Sequence, residues 1–229
     1  NTAQLCLLGG TTVYQVDMRP GSATHFTVVG TRPRPALAGF ADGADWAFNP
    51  VDSFLYRFAR NTTTNRLHLI RYNRLNGAQA DRGAVAGIAA DATIAVGAAY
   101  ADSAGFVYAS DNNSGRIFRV NTVTVAASLL STGPIAANND GARCFNAPVP
   151  IDFGDAPNSY GTLLDSNGAR QAIPVYNAAA KTAPLMLGNR INADVDGQPS
   201  PDASLDGFVD GVDQASVTLV AGAATAQVI

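Results

Sequence analysis

"WAFNPVDSFLYRFA" (46–59) and "AAYADSAGFVYASD" (98–111) have the same layout. Each is an apolar strand, a turn built on Asn-Pro or on Asp-Ser-Ala-Gly, and a second apolar strand carrying an aromatic. Phe48 aligns with Tyr100 and Tyr56 with Tyr108, both 52 residues apart. Around them, "TTVYQVD" (11–17), "NRLHLIRYN" (65–73) and "GRIFRVN" (115–121) alternate apolar and polar residues and close on Asp or Asn. Val16, Ile70 and Val120 align there, at separations of 54 and 50. A unit of about 50 residues holding about four short strands has the period of a propeller blade. Only about two and a half such units fit between residues 12 and 145, whereas closed rings use at least about four. Smaller blades, a ring incomplete within this chain, and an irregular β-sandwich with look-alike hairpins are the readings left open.

Composition points the same way. Among 229 residues there are 18 Asp and no Glu, and 14 Arg against the single Lys181. Glu and Lys favour helices, so their near absence removes the usual solvated face of a surface helix. Gly, Pro, Thr, Val, Asn and Asp suit strands joined by tight turns. The expectation is an all-β chain. Its arginines are scattered without a basic stripe, which argues against a nucleic-acid partner. No apolar run reaches the roughly 18–20 residues that span a bilayer, so membrane insertion is not expected. The N-terminus lacks the order of a signal peptide, and the chain reads as a piece of something longer.

After Cys144 the character changes. Residues 1–151 hold twelve Arg against nine Asp, a net charge of +3; residues 152–229 hold nine Asp against Arg170, Lys181 and Arg190, a net charge of −6. The proline-rich run "CFNAPVPIDFGDAP" (144–157) suits a stiff connection. The expected division is a propeller-like β-repeat domain, whole or incomplete, over 1–147, and an acidic segment over 148–229. "ASVTLVAGAATAQVI" (215–229) alternates like a strand and then stops, which suggests a domain cut at its edge.

Six aspartates fall between Asp194 and Asp213 with no basic residue among them. Asn192, Asp194, Asp196 and Gly197 have the x, x+2, x+4, x+5 spacing of a calcium loop, where alternate oxygens point inward and glycine permits the bend. Ala203 stands where an EF-hand needs its twelfth-position acid, and no helical pattern flanks the loop, so the full motif is absent. Asp202, Asp206, Asp210 and Asp213 follow, the last three phased with Gly207 and Gly211. Calcium takes six to eight hard oxygens, and aspartates supply them; magnesium, strictly octahedral, fits less well. A hydrated acidic loop is the plain alternative.

"DFGDAPNSYGTLL" (152–164), "GAR" (168–170), "LGNRINADVDGQPSPDAS" (187–204) and "DGFVDGVD" (206–213) together resemble the segment that precedes GEVED-type β-sandwich repeats in large secreted bacterial surface proteins and adhesins. The upstream part, ending in "NDGARC" (139–144), is similar to the propeller-like repeats found ahead of that motif. The resemblance implies an extracellular, cell-surface, non-catalytic structural or adhesive module stabilised by calcium, with a calcium-ordered acidic segment or partial β-sandwich after the repeats. Carried over as ligands are Asp194, Asp196, Asp202, Asp206, Asp210 and Asp213, with Asn192, Asp152 and Asp155 as further candidates; the last two could instead cap and turn the linker. Gln171 replaces the expected His, and the doubled acids of the family pattern are missing.

Two cysteines, Cys6 and Cys144, form an even pair that in a secreted chain reads as one disulfide, two free thiols being the alternative. Catalytic signals are sparse. His25 and His68 each sit in a strand pattern, and no nucleophile elbow, zinc or phosphate-loop motif occurs. A carbohydrate- or peptide-binding propeller is the second reading, with Trp46, Tyr56, Tyr100 and Tyr108 available for stacking on a sugar, although repeated aromatics also mark a core. A propeller hydrolase is the third. Partners on these readings are calcium, a host or surface glycan or peptide, and neighbouring domains of the same chain.

Overall fold

The computed structural model describes residues 4–144, 150–173, 175–186 and 190–203. Strands make up 39% of the chain and helix 3%, which makes it an all-β protein. It divides into two compact units, Asn1–Asn146 and Ala147–Ile229.

Among its described residues the first unit holds three antiparallel sheets, each a meander in chain order. β1 (Gln4–Gly9), β2 (Thr12–Asp17) and β3 (Val28–Pro33) form the first. β4 (Phe40–Phe48), β5 (Leu55–Asn61), β6 (Leu67–Tyr72) and β7 (Gln79–Ala84) form the second, and β8 (Val96–Ala101), β9 (Phe106–Asp111), β10 (Arg116–Asn121) and β11 (Ala126–Thr132) the third. None closes into a barrel or a propeller.

One turn recurs at five of the connections. Asn49, Asn61, Asn73, Asp111 and Asn121 each accept a backbone hydrogen bond from the residue four positions on. Each also turns its side-chain oxygen onto the N–H two positions on. That is the Asx-turn, the reason such strands end in Asn or Asp. The fifth residue lies at positive φ in every case: Ser53, Asn65, Gly77, Gly115 and Val125. Val125 is β-branched, for which this conformation is costly; its burial in the core holds it there. The turns also correct the alignment. Asp17, Asn73 and Asn121 are equivalent strand ends, so Tyr72, not Ile70, matches Val16 and Val120. Their partners are Leu55, Leu5 and Val107. A two-residue slip keeps the same face of a strand, so alternation alone does not reveal it.

The largest core lies between the second and third sheets, around Tyr56, Phe58, Leu69, Val85, Ile94, Val107, Phe118 and Val120. β4 and β8 run beside each other, and the Asp45 carboxylate ties them by accepting the Ala99 N–H at 2.8 Å. A smaller cluster, Val13, Leu55 and Tyr72 with Cys6 and Trp46, joins the first sheet to the second.

The repeated tyrosines belong to this framework. Tyr56 and Tyr108 are buried, and their hydroxyls donate to Asp52 (2.6 Å) and Asp102 (2.8 Å). The turn after β8 is one residue shorter, so Asp102 combines two tasks: it caps the turn, as Asn49 does, and receives the tyrosine, as Asp52 does. Burial and Asp52 push Tyr56 up to about 12, and burial and Asp102 push Tyr108 higher. Asp52 is exposed and Asp102 buried. Tyr108→Phe would therefore strand a buried carboxylate oxygen and is expected to cost about 2–3 kcal/mol, whereas Tyr56→Phe should cost about 1 kcal/mol or less; urea denaturation of the two variants measures the difference.

The second unit, among its described residues, is a two-stranded ribbon with long loops. β12 (Ile151–Phe153) pairs with β13 (Arg170–Ala172). Two single 3-10 turns, Asn158–Tyr160 and Leu164–Ser166, lie between them. Its buried apolar side chains, among the described residues, are Ile151, Phe153, Leu164 and Ile173. The strand expected over 215–229 lies outside the described residues.

Candidate functional site

The acidic residues of the second unit divide into those committed to its backbone and those facing inward. Asp196 accepts the Leu164 N–H at 2.7 Å and the Gly197 N–H at 2.8 Å, so its Oδ1 pins two loops together. Asn192 turns its Oδ1 to the Lys181 ammonium at 2.8 Å. Asp202 is exposed. The regular spacing from Asn192 to Asp196 therefore does not gather its side chains around one point. Among the described residues no three His, Cys or Asp side chains group as a metal site. Asp206, Asp210 and Asp213 lie outside the described residues.

The inward-facing carboxylates come from the DFGD stretch. Residues 194–200 return along β12: the Asp194 N–H bonds Ile151 O at 2.7 Å, and the Ser200 N–H bonds Asp155 O at 2.9 Å. This brings the Asp194 carboxylate, which accepts from Gln198 at 2.7 Å, into the field of Asp152. Asp152 Oδ1 and Asp155 Oδ2 are buried and have no hydrogen-bond partner. A buried acceptor without a donor costs about 1–3 kcal/mol, more when charged. Burial, with the Asp194 charge second, pushes Asp152 up to about 6. Burial, with the charges of Asp194 and Asp152 adding to it, raises Tyr176, whose hydroxyl donates to Ile191 O at 3.2 Å. In kind, Asp152, Asp155 and Asp194 suit a hard cation: all-oxygen donors, two with unused buried acceptors. Spacing along the sequence pointed to Asn192, Asp194 and Asp196; Asp152 and Asp155, which spacing does not single out, carry buried oxygens without a partner.

The glycines here serve close approach. A methyl group at Gly197 or Gly168 would collide with the Thr162 carbonyl. Thr162 is buried and donates its hydroxyl to Ala156 O at 2.7 Å. Gly197 is required by that contact, and not by a left-handed bend.

The other candidates are placed as follows. Tyr56 and Tyr108 are too deeply buried to stack on a sugar, and Tyr100 stacks on Tyr108 at 5.1 Å. Trp46 is half-buried against Tyr72, 5.3 Å between ring centroids. The cysteines are separate thiols, Cys6 half-buried in β1 and Cys144 exposed, so the expected disulfide is not formed. Burial raises the Cys6 thiol, which favours its protonated form. His68 pairs with Asp81 at 3.0 Å, and His25 lies in the loop between β2 and β3, stacked on Phe26, rather than in a strand.

No protein-family model matches this chain, and neither a curated protein nor a solved structure does.

Proposed function

We propose that this chain is a non-catalytic structural or adhesive module of a large extracellular bacterial surface protein. In this reading the first unit is a set of propeller-type blades, and the second is a junction ordered by calcium. The observation that carries it is the buried, unpartnered oxygen on each of Asp152 and Asp155, with the charge of Asp194 acting on Asp152. The DFGDAP-type sequence and the four-stranded meanders add support. Asp152, Asp155 and Asp194 would have to draw together to hold the cation, whose positive charge would offset the repulsion between Asp152 and Asp194. Asp196 keeps the two loops in place, and Thr162 with Gly168 and Gly197 keeps them tightly packed.

Melting of the second unit in calcium, in magnesium and in chelator tests this. At calcium one hundred times its dissociation constant, the gain is expected to be about 2.7 kcal/mol, and magnesium should give less. Equal melting in all three would overturn the proposal. The variant Asp152→Asn sharpens the test, since its two effects have opposite signs. It removes repulsion from Asp194, and should raise stability in chelator at pH 7 while abolishing the response to calcium.

The pH dependence has a defined direction. Asp152 lies near 6 in the folded chain against 3.8 in the unfolded one, so the folded state holds its proton more tightly. Without cation, stability of the second unit should fall as pH rises from about 4 to about 6 and then level off. Calcium affinity should weaken as pH drops below about 6, because the proton and the cation compete. Calcium titrations at pH 5 and pH 7 check both.

A further inference from the structure

Ala47 opposes Tyr56 as Tyr100 opposes Tyr108, so by pairing Ala47 stands where Tyr100 does. In the second sheet Ala47, Tyr56 and Phe58 belong to the core shared with the third. The corresponding face of the third sheet carries Ala98, Tyr100, Tyr108 and Ser110, and the chain that follows β11 lies across it. From Asn139 to Cys144 this segment alternates residue by residue, with Asn139, Gly141 and Arg143 half-buried and those between them exposed. A period of two is that of an extended peptide laid along a surface. Each of the three inward residues meets the sheet. The Asn139 amide donates to the Ser110 hydroxyl at 3.2 Å. Gly141 lies so close that a methyl group there would come within 2.7 Å of Ala98 Cβ and 3.4 Å of Tyr100 Cδ1. The Arg143 guanidinium stands over the Tyr108 ring, 5.7 Å from its centroid. Asp45 fixes the middle of the segment: its carboxylate takes the Gly141 N–H as well as that of Ala99 at 2.8 Å.

We infer that this face is a peptide-binding site, filled in cis by residues 139–143, and that its ligand is an extended segment of the pattern Asn-x-Gly-x-Arg. Each element of the pattern has its reason. Ala98 and Tyr100 leave no room for a Cβ at the central position, so glycine is required there. Asp45 selects a backbone N–H at the same point. The Tyr108 ring favours a cation two positions on, through its negative face, and the Ser110 hydroxyl receives an amide two positions back. Ala142 is exposed and free to vary. Asp140 is exposed too, and its carboxylate shares the Gly141 N–H at 2.8 Å. A site filled by its own chain binds a free segment weakly, because the tethered copy competes at an effective concentration in the millimolar range. Displacing residues 139–143 uncovers the site. It lies in the first unit and is independent of the cation proposed for the second.

The probe is a capped synthetic peptide of residues 136–143. The receptor is the whole chain carrying Gly141→Leu, whose own segment no longer fits against Ala98. Amide chemical shifts at Ala98, Tyr100 and Ser110 follow the titration. The variant should bind the peptide at least about tenfold more tightly than the parent chain, because only the uncovered fraction of the site is competent. The same peptide carrying Gly141→Leu should bind at least about tenfold more weakly than the original. Carrying Arg143→Ala instead, it should lose about two- to fivefold, the size of an exposed cation–π contact. If the Gly141→Leu chain does not fold, the chain carrying Asn139→Ala and Arg143→Ala serves as receptor, since it removes two anchors and adds no bulk. No binding to the uncovered chain, equal binding by parent and variant, or equal binding of the original and the Gly141→Leu peptide would overturn the inference.

Discussion

Gly168→Ala is expected to destabilise the second unit by about 3 kcal/mol or more. The new methyl group would overlap the Thr162 carbonyl and approach that of Leu163, both of which are backbone and cannot rotate aside. To admit it, the loop must open and lose the hydrogen bond from Gly168 N–H to Leu163 O, 2.9 Å long. Overpacking alone costs about 1–3 kcal/mol, and opening the loop also loosens Leu164, which is 2% exposed. With few apolar side chains in its described core, this unit has little reserve against such a loss. Gly154 provides the control within the same motif, because a methyl group there meets nothing within 4 Å. Gly154→Ala should stay within about 0.5 kcal/mol of the parent. Amide exchange over residues 150–203 reads both variants.

Phe58→Ala should have the largest effect in the first unit, about 3–5 kcal/mol. Its side chain has no exposed surface and lies in the core shared by the second and third sheets. Truncation would leave a cavity that two interlocked sheets cannot close. Phe26, 68% exposed, sets the scale: Phe26→Ala should change stability by about 0.5 kcal/mol or less. The urea midpoints of the two variants check the contrast.

How much of this was legible in the sequence depends on the range of the interaction. The strand ends at Asp17, Asn73 and Asn121 were visible, because an Asx-turn is written in residues two to four positions apart. The pairing of Tyr56 with Tyr108 was visible too, for both lie at the same place in a repeated hairpin. The slip at Ile70 was not, since period-two alternation is unchanged by a shift of two. The bonds made within the acidic loop were not visible, for a different reason. Asp196 is committed to Leu164, 32 residues away, and Asn192 to Lys181, 11 residues away. Local spacing carries no trace of either bond. Asp152 comes into the field of Asp194, 42 residues away, only because residues 194–200 fold back along β12, so that part of its setting is a product of tertiary structure.

The five recurring Asx-turns have a kinetic consequence. In the second and third sheets every strand pairs with its neighbour in the chain, so each hydrogen-bonded ladder closes over a short loop. The entropy lost in closing a loop grows with its length, and chains whose pairings are local fold faster than those that join distant segments. The β5–β6 and β9–β10 hairpins can each form before the sheets meet, and only the shared core around Phe58 must wait for their docking. Phe58→Ala should therefore act mainly on the unfolding rate if docking follows the transition state, and on the folding rate if docking defines it.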